Sequence, residues 1–114
     1  MSKLRSVRTE RDLHAFGANL ARMRKIQGVT AELLAERAGV TRATLRAIER
    51  GKGTARLDNV MAVLRILGQS EAVVEATDPL NTDLGRLLTD ERLPKRVRVR
   101  RTPQEARLAP QEAR

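Results

Sequence analysis

Arginines stand at positions 42, 46 and 50 of the stretch VTRATLRAIERGKG, residues 40–53. A spacing of four residues stacks side chains on one face of a helix, so Arg42, Arg46 and Arg50 form a stripe of like charge. Such neighbours destabilise a helix by roughly 0.2–0.5 kcal/mol per pair. The chemistry open to this stripe is anion recognition. A guanidinium holds a phosphate through parallel hydrogen bonds and grips guanine O6 and N7 in the same way. A bound polyanion converts the repulsion into attraction. The competing reading is a solvated face in an arginine-rich protein, since arginine is a good helix former.

Other chemistries lack their residues. The chain of 114 residues has no Cys and a single histidine, His14, which predicts no disulfide, zinc finger, metal cluster or catalytic triad. No nucleophile–base pair and no phosphate-cradling glycine loop is present, so neither an enzyme nor a cofactor is expected. Asp78, Asp83, Asp90 and Glu91 are read as turn and helix-start markers. One Phe and no Tyr or Trp argue against readers that stack single-stranded bases on aromatic platforms. The excess of 23 Lys+Arg over 14 Asp+Glu, a net charge of +9, favours phosphate-rich partners. No stretch has the uninterrupted apolar length of a signal peptide or a membrane span, so no membrane partner is expected and the chain reads as cytoplasmic.

The elements that position the stripe follow from periodicity and punctuation. Residues 1–8, MSKLRSVR, are expected to be a flexible basic arm. TERD at 9–12 fits a helix start with Thr9 as cap. Behind it Leu13, Phe16, Leu20 and Met23 recur at helical spacing until Gly28. Thr30 caps a second helix, 31–38, ended by Gly39. Thr41 caps a third, 42–50, ended by Gly51. Leu57, Val60, Met61, Leu64 and Leu67 mark a fourth, closed by Gly68, and a shorter fifth begins at Ser70 and ends at TDPLN. A weak last helix is expected from Asp83 to Leu88. The predicted fold class is therefore all-α, with a domain at 9–76 and a weak helical extension at 77–93 offering a dimer contact.

Composition changes near Pro94. RLPKRVRVRR, 92–101, holds six basic residues and no acid, and the period of two in RVRVR suits a strand that finds an edge. PQEAR occurs at 103–107 and again at 110–114. Residues 94–114 are expected to be a basic, disordered tail: a non-specific DNA arm, a partner-binding segment or a solubilising end.

Helices two and three are joined through one glycine. Small Ala35, turn Gly39 and apolar Leu34, Ala38, Val40, Leu45 and Ile48 fall where a helix-turn-helix needs them. With the flanks FGANLARMRKIQGVT and LDNVMAVLRILG, the chain resembles the five-helix phage-repressor class, the Cro/C1 or XRE family, over about residues 12–76. At about 100° per residue, Arg42, Ala43, Arg46, Ala47 and Arg50 share one side of the third helix, and Leu45 and Ile48 the other. The resemblance puts Arg42, Ala43, Arg46 and Ala47 at base-reading positions in the major groove, with arginine on guanine and an alanine methyl on thymine. Free amides and hydroxyls at Thr30 and Thr41, at two helix N-termini, suit phosphate oxygens, and each threonine could equally be a cap alone. By resemblance Arg50, Lys52 and Arg56 also grip the backbone, and Thr44 joins the phosphate set. Many relatives carry Gln at the first residue of helix two, where it braces a phosphate. Here it is Ala31. The resemblance also pairs Glu49 with Arg24, although a surface pair of little energetic worth is the alternative.

The leading expectation is a sequence-specific binder of double-stranded DNA, a repressor acting as a homodimer on a palindromic operator. Val73, Val74 and LGRLL are candidate dimer contacts. A second expectation, compatible with the first, is an antitoxin: the length, the core, and a basic tail resemble HipB-like partners of kinase toxins, so a toxin protein is a possible partner. A third is an RNA-associated or coactivator-type bridging module.

Overall fold

The computed structural model describes residues 5–92. Its elements are α1 (Val7–Ile26), α2 (Ala31–Ala38), α3 (Arg42–Glu49), α4 (Leu57–Ile66), α5 (Ser70–Ala76), a 3-10 turn (Pro79–Asn81) and α6 (Asp83–Arg92). Among the described residues the fold is all-helical. It divides between Val74 and Glu75 into two compact units. The expected strand at RVRVR, the expected tail and residues 1–4 of the expected arm lie outside the described residues.

The first unit carries the core. Leu34, Leu45, Val63 and Leu64 are at most 2% exposed, and Leu20, Ala35, Ile48 and Leu67 complete the buried cluster. Each fully buried aliphatic side chain stabilises the fold by about 1.5–3 kcal/mol. Phe16 and Met23 of α1 and Val60 and Met61 of α4 pack around that centre. α1 to α4 thus each turn apolar residues toward one shared interior.

Helix boundaries differ from expectation at the start of α1. Ser6, not Thr9, is the cap: its Oγ accepts from the Thr9 amide at 3.0 Å. Both residues offer a hydroxyl three positions before a free amide, and the earlier one gives a longer helix. Residues 7 and 8 of the expected arm are therefore helical. Arg5 is also held, donating to the Lys52 carbonyl at 3.2 Å and pairing with Glu10 at 3.6 Å. The third helix stops one residue earlier than expected, with Arg50 as its C-cap.

In the second unit Asp78 caps the 3-10 turn by accepting from the Leu80 amide at 2.9 Å, and Thr82 Oγ1 accepts from the Gly85 amide at 2.9 Å. Arg86 pairs with Asp83 and donates to the Leu80 carbonyl. α6 runs to Arg92 rather than ending at Leu88. It contains no buried residue.

Candidate nucleic-acid interface

α2 and α3 are started by the same device. Thr30 Oγ1 accepts from the Leu33 amide at 3.1 Å, and Thr41 Oγ1 accepts from the Thr44 amide at 3.0 Å. Each hydroxyl satisfies the third amide of its helix, leaving the first two amides without intrahelical acceptors. Thr41 also donates to Thr44 Oγ1 at 3.0 Å, so Thr44 belongs to the cap. Between the helices Gly39 adopts φ 74°, ψ 29°. A side chain is strained there. The tight left-handed turn lets Val40 donate back to Ala35 at 3.0 Å.

α3 is sorted sharply by face. Leu45 and Ile48 are 1% and 5% exposed. Arg42, Ala43, Arg46 and Arg50 are exposed, while Thr44 and Ala47 are half-buried. The outward surface of the helix is therefore arginine, alanine, arginine, with Arg50 on the capping residue beyond it. Among the described residues Arg42, Arg46 and Arg50 have no ion pair, whereas Arg5, Arg24 and Arg56 each meet a carboxylate. Within the described residues the stripe is charge without a counter-charge.

Two contacts set the angle of α3. Arg24 Nε donates to Glu49 Oε2 at 2.8 Å and Nη2 to Oε1 at 3.2 Å, while Nη1 reaches the Val29 carbonyl at 3.0 Å. The two side chains are only 13% and 14% exposed. One guanidinium thereby ties α1, the α1–α2 loop and the end of α3. The second contact is made by an absence. Gly17 is buried, and a Cβ on it would come within 2.6 Å of the Glu49 carbonyl oxygen and collide with that of Ile48. α1 and α3 cross with backbone against backbone.

Beyond α3 the chain turns through Gly51 (φ 70°), where a Cβ would meet the Leu13 carbonyl oxygen at 2.5 Å. Lys52 follows, exposed, with its amide on the Ala47 carbonyl at 3.0 Å. Arg56 is the N-cap residue of α4 but makes no side-chain cap. Its guanidinium meets Asp58 at 3.0 Å, with the side chains 79% and 65% exposed. A pair so open to water is worth at most about 1 kcal/mol, so Asp58 holds Arg56 only weakly.

At the start of α2 the short Ala31 side chain opens a recess of about 250 Å³ shared with Arg24, Arg42, Arg46 and Glu49. Three positioning residues carry little sequence signal: Gly17, Arg5, and Gln27, whose Nε2 donates to the Leu67 carbonyl at 2.9 Å. A glycine inside a helical pattern and a glutamine near its end look ordinary until the crossing element is known.

No helix among the described residues is long and apolar enough to cross a membrane. Residues 20–74 match the helix-turn-helix family model. No curated protein and no solved structure matches the chain. The matched span begins at Leu20 within α1 and ends with the first unit at Val74, enclosing the Gly39 turn and the arginine face. Through it the chain carries a Cro/C1-type (XRE) helix-turn-helix, the DNA-binding domain of transcription regulators.

Proposed function

We propose that the chain is a repressor that binds a palindromic operator as a homodimer, with α3 in the major groove of each half-site. The observation that carries this reading is the exposed, uncompensated Arg42–Arg46–Arg50 stripe on a helix whose other face is locked in the core. Arg42 and Arg46 reach guanine edges, and Ala43 and Ala47 lie against thymine methyls. The helix-start amides beside Thr30 and Thr41, the Thr44 hydroxyl, and Arg50, Lys52 and Arg56 hold the phosphates on either side. Glu49 stays out of the readout because Arg24 occupies both of its oxygens. Two-fold pairing doubles the contacts of a small module and sets half-sites about 10–10.5 bp apart, centre to centre.

The test is binding to a labelled duplex from the region upstream of its own gene and to a shuffled copy, each over a salt series. The label sits on the DNA because the protein has neither Trp nor Tyr. A preference for the native duplex that survives high salt supports an operator-specific repressor. Equal binding that fades steeply with salt leaves only counterion release and defeats the reading.

A further inference from the structure

We infer that the apolar groove of the first unit receives α6 of a second copy of the chain, the two copies exchanging α6 about a two-fold axis. The inference rests on the dimeric reading above and adds the surface that makes the dimer.

Leu13 and Phe16 of α1, Val60, Met61 and Leu64 of α4, and Val73 of α5 line this groove, with a volume of about 370 Å³. Leu57 stands at its rim, 73% exposed. An open apolar groove of this kind marks an interaction surface. On the other side of the argument stands α6, a ten-residue helix with no buried residue. Isolated helices shorter than about 12–15 residues are marginal in water and depend on packing an apolar face. α6 has such a face. Leu84, Leu87 and Leu88 follow the i, i+3, i+4 pattern by which an amphipathic helix enters a groove, and Leu84 and Leu87 are 65% and 54% exposed.

Charge selects this occupant over the alternative of groove against groove. Residues 75–92 hold five acids and two arginines, whereas residues 5–74 hold thirteen Lys+Arg and seven acids. Pairing two first units face to face would set like charge against like. Bringing α6 to the groove instead sets its carboxylates Asp90 and Glu91 against a unit of net positive charge. Arg5 is already at the groove's edge, its guanidinium beside Gly53 and Leu13. A two-fold exchange covers both grooves and both α6 helices and leaves no open surface to propagate.

The chain has no native cysteine, which makes crosslinking clean. Full-length Met61→Cys and Leu87→Cys chains, mixed and mildly oxidised, are expected to form a reducible product of twice the 12.7 kDa chain mass, in at least several-fold excess over either chain alone. A chain bearing both substitutions that closes its disulfide within itself and runs as a monomer overturns the exchange, because α6 would then fill the groove of its own copy. In parallel, Leu84→Glu/Leu87→Glu alters exposed positions and should keep the helical circular dichroism. Sedimentation should show its mass falling from dimer to monomer. A variant that remains dimeric and still prefers the operator overturns the docking and leaves the repressor standing. Crosslinking as expected in a protein with no operator preference supports the docking and defeats the repressor.

Discussion

Arg46 sits in the middle of the α3 stripe, exposed and, among the described residues, without a carboxylate partner, so its truncation should act on DNA rather than on the fold. Arg46→Ala is expected to cost about 1–3 kcal/mol on the operator and to relax choice at one base pair. Competition with single-base operator variants measures this, and an equal loss on random duplex would remove Arg46 from base reading. Lys52→Ala should behave differently. Its loss should weaken all sequences alike and lower the slope of log affinity against log salt by about one unit; a changed sequence preference contradicts a phosphate role. Glu49→Ala leaves the Arg24 guanidinium half-buried with two hydrogen bonds gone. Hydrogen bonds to charged groups contribute about 1.5–3 kcal/mol, so denaturant unfolding should shift by that order, and an unshifted midpoint would mean that the pair is ornamental.

At the scale of elements, α3 depends on what lies behind it. Gly17→Ala drives a methyl into the Ile48 and Glu49 carbonyls. Overpacking of this kind costs about 1–3 kcal/mol, and the re-angled α3 should lose operator preference before it loses general DNA affinity. Thermal melts with paired operator and random-duplex titrations check both halves of that statement. Much of this element scale was legible beforehand. Thr30, Gly39, Thr41, Gly51 and Gly68 punctuate the sequence where the helices begin and turn, because caps and left-handed turns are written by one residue type each. The Leu45–Ile48 face was legible from its period alone. Ser6 was not, since Ser6 and Thr9 offer competing caps of similar chemistry. Gly17 and Gln27 were not either, because their meaning lies in a backbone carbonyl contributed by a helix distant in sequence.

For the whole molecule the governing quantity is the distribution of charge. The helix-turn-helix unit is basic, the following segment to Arg92 is acidic, and RLPKRVRVRR is basic again. Replacing Arg92, Lys95, Arg96, Arg98, Arg100 and Arg101 with Gln in the full chain should flatten the salt dependence on random duplex while the operator preference persists. An unchanged salt slope would exclude the segment from DNA contact. The proposed place of α6 is not legible from local pattern, since the groove is lined by residues of helices distant from it in sequence.

The backbone-to-backbone crossing at Gly17, together with the Arg24–Glu49 tie, anchors α3 entirely from behind. Arg42, Ala43 and Arg46 take no part in this anchoring. Positions 42, 43 and 46 are therefore free to be rewritten, by drift after gene duplication or by randomisation in a library, without disturbing the frame that presents them. With α3 reading DNA as proposed, the domain is a fixed handle with an interchangeable key, and a new operator is a few codons away.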